Sequence, residues 1–164
     1  MAAHESEPNA GARLTAPVPD AAHQRPDHAT DGTVEAAGKV SEAFEWIERA
    51  RGRLFDLHQM IGHADFLLGD AAELLDQHEQ PDLAELVRNE AIGRNVLDGR
   101  WTFQIIEEFD RTYFAAVRQV EESVREQLMD GRTHVYEAEL KEQRRTRGRR
   151  GHESRPPAHW DDPA

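Results

Sequence analysis

The chain has no cysteine, which excludes a disulfide framework, a thiolate metal site and a cysteine nucleophile. Lysine is nearly absent, two residues against eighteen arginines, a bias that GC-rich coding produces as readily as a demand for bidentate pairing. No apolar run approaches the about 20 residues needed to cross a bilayer, and the first residues lack the basic start and apolar core of a secretory signal. A cytoplasmic protein without a membrane role is the expectation. There is no Gly-x-x-x-x-Gly-Lys-Ser/Thr loop, and no serine or threonine stands at a recognisable spacing from a histidine. P-loop and acyl-transfer chemistry are therefore unsupported.

What is present is acidic and unevenly charged. The 164 residues carry a net charge of −12, yet residues 141–155 hold seven basic groups against two acidic ones, a local +5. An acidic body repels nucleic acid, so any binding to polyanions falls to the tail arginines Arg144, Arg145, Arg147, Arg149 and Arg150, which would act weakly and without sequence readout. Residues 1–33 contain Pro8, Pro17, Pro19 and Pro26 and few large apolar side chains, a composition that does not repay the entropy of ordering. The predicted organisation is a disordered tail over 1–33, a helical domain over 34–143, and a disordered Arg-rich and Pro-rich tail over 144–164 that includes Trp160.

Within the domain, Val40, Ile47, Leu54, Ile61, Leu68 and Leu75 recur at intervals of seven, the seam of one long helix with coiled-coil character. Additional apolar residues at Trp46, Phe55, Leu57, Met60, Phe66, Leu67 and Leu74 broaden its buried face and favour a bundle over a two-stranded rod. Pro81 opens a short second helix, which stops near Gly93 or Asn95. A third helix, capped by Asp98, runs through Phe103, Ile106, Asp110, Tyr113 and Val117 to Asp130-Gly131, and a last one, capped by Thr133, covers His134–Gln143. The fold class is all-α: a long amphipathic helix packed against a shorter helix and a second long helix, a bundle of three to four helices.

If the second helix returns and the third turns again, the third runs parallel to the first. Two consequences follow. His58, Asp65, Glu107 and Asp110 then meet beside Arg94 and Arg100 as a buried polar cluster. The preferred role is a network of paired charges that fixes helix register, and the alternative is a divalent metal bound by His58, Asp65, Glu107 and Asp110. The second consequence is that Val40, Phe44, Ile47 and Leu54 are left without a cover inside the chain, which makes them the expected interface of a homodimer or of a helical protein partner.

Glu42-Ala-Phe-Glu45 followed by Glu73-Leu-Leu-Asp76 resembles the acidic pattern of the all-helical, magnesium-dependent nucleotide pyrophosphohydrolases. That resemblance implies a magnesium ion held between the two pairs on facing helices. From the residues themselves, both pairs lie on the polar side of one helix, where carboxylates are ordinarily solvated. The reading preferred on sequence is an interaction protein without catalytic activity or cofactor, self-associating or partner-binding.

Overall fold

The computed structural model describes residues 18–155, and among them every regular element is a helix. A 3₁₀ turn at Ala21–His23 precedes α1 (Asp31–Gln77), α2 (Pro81–Glu90), α3 (Thr102–Phe109), α4 (Ala115–Met129) and α5 (Val135–Arg144). Among the described residues no helix is long and apolar enough to cross a membrane. The outer parts of both expected tails, with Trp160, lie outside the described residues.

Helix α1 begins three residues before the expected domain start at residue 34 because Thr30 caps it. Its hydroxyl accepts from the Thr33 N–H at 3.2 Å, while the Thr33 hydroxyl accepts from the Thr30 N–H at 2.8 Å, so two otherwise orphaned donors are satisfied reciprocally. The helix then runs 47 residues, about 70 Å at 1.5 Å per residue. Glu79, with φ +60°, makes the reversal, and Pro81 opens α2 as the sequence predicts. Ala84 on α2 and Ala72 on α1 are among the most deeply buried residues, small side chains that let the two helices approach closely.

The third helix does not turn back. Asp65 lies beside Gly93, His58 beside Thr102, Arg51 beside Asp110, Phe44 beside Phe114 and Ser41 beside Glu121. Every step forward from α2 is thus a step down α1, and α2, α3 and α4 follow one another antiparallel to the single long helix. The expected parallel third helix is corrected by this order. Its cause lies in residues 91–101, which hold two tight turns instead of one reversal. Gly93 (φ +69°) ends α2, and Leu97 and Arg100 exchange backbone hydrogen bonds of 3.1 and 2.9 Å around Asp98-Gly99, with Gly99 at φ +68°. Two turns restore the original heading. Asp98 sits in the second turn and caps nothing. The chain enters α3 at Trp101, whose N–H donates to Gln104 Oε1 at 2.8 Å.

Helices α3 and α4 are one path interrupted by a π turn at Asp110–Phe114, where Thr112 Oγ1 donates to the Glu108 carbonyl at 2.6 Å. The wider turn carries an extra residue. It delivers both Asp110 and Phe114 to α1.

The far end of this hairpin holds the core, Val34 and Ala37 of α1 with Met129 and Val135, flanked by Ala29, Val124 and Leu128. Residues 18–30 and 145–155, expected as parts of the tails, are held by charge pairs where apolar burial alone is small. Arg25 bridges Asp31 and Glu139, Arg132 Nη1 donates to the Gln24 carbonyl at 2.7 Å, and Pro26 is buried. Helix α5 starts at Val135 after His134 in a left-handed conformation (φ +54°), so Thr133 is not its cap. Beyond it, Arg145 Nε donates to Oε1 of buried Glu142 at 2.8 Å, and its Nη2 lies 2.8 Å from Oε2, an ion-pair contact without a hydrogen bond.

Helices α1 and α5 touch at Gly38, where an added Cβ would lie 3.0 Å from Tyr136 Cβ. Gly→Ala gains about 0.8–1 kcal/mol of helix propensity, whereas overpacking against a backbone-anchored atom costs about 1–3 kcal/mol. Gly38→Ala is therefore expected to destabilise by about 1 kcal/mol, while Gly52→Ala, which meets nothing within 4 Å, gains the propensity alone. Urea melts of the two variants should shift in opposite directions.

Candidate functional site

The six residues of the expected polar cluster do not meet, because α3 descends α1 instead of climbing it. Asp65 Oδ1 accepts from the Gly93 N–H at 2.8 Å, and His58 Nδ1 shares a 2.7 Å hydrogen bond with the hydroxyl of buried Thr102. These two bonds pin both ends of the 91–101 insertion onto α1. Arg94 pairs with Glu90, the last residue of α2, at 3.1 Å, and Arg100 with Glu108. Glu107 lines an open polar groove with Asp98, Gln104 and Arg111. The four candidate metal ligands are thereby dispersed, and among the described residues no group of three or more His, Cys, Asp or Glu converges on a common point.

Asp110 finds its partner in Arg51 of α1, which is not among the residues expected in the cluster. Arg51 donates to its two oxygens at 2.6 and 2.8 Å and stacks between Phe55 and Phe114, its guanidinium carbon 5.0 and 5.2 Å from the ring centroids. This bidentate bond holds the Asp110 carboxyl below its ordinary 3.8 and raises the Arg51 guanidinium. A depressed carboxyl contributes stability above its ordinary value and loses it as pH falls through the folded value. The stability difference between wild type and Asp110→Asn should thus be constant from pH 7 to about 4.5 and shrink steadily below 3.8, as read by urea melts at each pH. A second polar link missing from the sequence reading is buried Glu121, which accepts from Ser41 Oγ and from Arg125 Nε, each at 3.1 Å.

The line expected to be bare is the covered one. Phe44 packs on Phe114 with ring centroids 5.3 Å apart, and Val40, Ile47 and Leu54 are half-buried on the side of α1 that α3 and α4 occupy. The bare line stands one residue earlier at each turn, about 100° round the helix. Trp46, Met60, Leu67 and Leu74 are 59, 62, 54 and 54% exposed, and with Arg53 they form an unbroken series at intervals of seven. The guanidinium of Arg49 lies 4.4 Å over the Trp46 ring. A single hairpin has only two layers, so among the described residues one face of its longest helix has nothing to pack against.

Glu42, Glu45, Glu73 and Asp76 are all exposed on α1, the two pairs lie roughly 47 Å apart along its axis, and Asp76 is paired with Arg88. They do not face each other within the chain. Of the five tail arginines, Arg145 is engaged by Glu142 while Arg144, Arg147, Arg149 and Arg150 are exposed. A groove of about 470 Å³ separates the N-terminal segment from α5; of its charged groups Arg25 is paired with Glu139 and Glu142 with Arg145, and Arg147 stands exposed at its edge. What the arrangement offers to a ligand is therefore apolar surface on α1 rather than a converging set of reactive groups. No protein family, curated protein or solved structure matches this chain.

Proposed function

We propose that this protein is a helical interaction protein that self-associates through the uncovered face of α1. The observation that carries the reading is the series Trp46, Met60, Leu67 and Leu74, four large apolar side chains aligned at heptad spacing and more than half exposed. Scattered exposed leucines are ordinary on a protein surface; a line of large apolar side chains along one helix, interrupted here at Arg53, is what an interface presents. Two hairpins joined along this line complete a four-helix bundle, the architecture in which a long amphipathic helix buries both its seams. Covering four half-exposed side chains on each of two copies is worth about 1 kcal/mol apiece. That is roughly 8 kcal/mol before the cost of association, so the dissociation constant is no tighter than about 1 µM.

Trp46 reports on this contact directly. In a Trp101→Phe/Trp160→Phe background its emission should shift to longer wavelength on dilution from about 500 µM to 1 µM, through the range that the energetics set. An emission maximum that stays at the solvent-exposed position across the series would overturn the proposal.

A further inference from the structure

Resting on that reading, we infer that the occupant of the uncovered face is a second copy of this chain laid antiparallel, in one register. On α1 the exposed large residues Trp46, Arg53, Met60, Leu67 and Leu74 alternate at steps of four and three with Ala43, Ala50, Leu57, Ala64 and Ala71. The stripe spans residues 43–74, more than four heptads, which is the length over which such a pattern specifies helix pairing. Its two lines differ in size, one large throughout and one alanine at four of five positions. A parallel, in-register pair would set each line against itself. Alanines would face alanines and leave gaps, while Arg53 would face Arg53 of the second copy at the centre of the seam.

An antiparallel pair sets each large residue against the small line of the other helix. Trp46 then faces Ala71, Ala50 faces Leu67, Arg53 faces Ala64, and Leu57 faces Met60 of the second copy. Ala43 and Leu74 close the series in the same register. No layer is large on large except the central one, and the two Arg53 groups are separated along the helix.

The charges beside the stripe select the same arrangement. On the flank away from α2–α4 stand Arg49, Asp56, His63 and Asp70, one every seven residues and all exposed. In the antiparallel register Arg49 comes opposite Asp70 of the second copy as an opposite-charge pair, and Asp56 comes opposite the His63 imidazole, a hydrogen-bonding partner, each twice by symmetry. Opposite charges across a rim give register and partner choice more than affinity. The other flank is Ile47, Leu54, Ile61, Leu68 and Leu75, already used against α2–α4, so a parallel pair would face Arg49 and Asp70 with aliphatic residues.

The absence of cysteine makes the register directly readable in the full chain. Ala50→Cys and Leu67→Cys are prepared as single variants, oxidised separately and as a mixture, with the mass of each measured first by light scattering at several hundred micromolar. The antiparallel register predicts a disulfide-linked dimer from the mixture and none from either variant alone. Cross-linking of each variant with itself overturns this register in favour of a parallel one and leaves self-association standing. Monomeric mass in the wild type overturns both. The charges supply an independent readout. Arg49→Asp and Asp70→Arg are each expected to weaken association on the order of 10-fold, and their combination to return it to within about threefold of wild type. A combined variant as weak as the product of the two single effects contradicts the pairing.

Discussion

Met60→Glu/Leu67→Glu is expected to leave a folded monomer. Both positions are more than half exposed in the single chain, and glutamate is a good helix former. The substitutions therefore cost the hairpin within about 0.5 kcal/mol, and the circular dichroism spectrum should not change. In the dimer each carboxylate would enter an apolar layer at two symmetry-related places, four unpaired charges in all. Burying even one without a partner costs several kcal/mol, so the dissociation constant should rise by at least about 100-fold. The control is Ile47→Glu, on the covered seam. Because α1 uses that side against its own chain, this variant should lose helicity and stability, a different outcome from dissociation. Equal behaviour of the two variants would mean that the covered and uncovered faces have been assigned wrongly.

The second large effect concerns the small core. Met129→Ala is expected to cost about 3 kcal/mol, the middle of the range for deleting a buried long side chain. Met129 is 2% exposed and is one of the four buried apolar residues that join α1, α4 and α5 among the described residues. With so few partners the site cannot repack around the cavity. Hydrogen exchange should show the loss first in α5 and in residues 18–30, whose attachment runs through this cluster and the Arg25, Glu139 and Arg132 contacts. Equal loss of protection along the whole of α1 would instead show that the hairpin unfolds as one unit.

The long helix, its end near Pro81, the second helix and the apolar line of the third were legible because heptad spacing and proline are local signals. The direction of the third helix was not. It depends on whether residues 91–101 make one turn or two, and a link holding Gly93 and Asp98-Gly99 permits either. That one ambiguity carried the rest with it. A parallel third helix brings Asp65 to Glu107 and leaves Val40 to Leu54 bare, whereas the antiparallel one gives Asp65 to Gly93 and Asp110 to Arg51 and covers the Val40 line. The residues of the bare stripe, Trp46, Met60, Leu67 and Leu74, were expected to broaden the buried face and are instead more than half exposed; only the hairpin shows which of two adjacent seams is already occupied. The ordered parts of the tails were hidden for another reason. They rest on ion pairs such as Arg25 with Glu139, 114 residues apart, which no local pattern announces.

Self-association through α1 is tested most directly by the mass of the unmodified chain in solution. Sedimentation equilibrium from about 1 µM to several hundred micromolar, the window set by the apolar area available, should show one chain of 18.6 kDa giving way to twice that mass and no more. A mass that stays at 18.6 kDa to the top of that range would contradict the account.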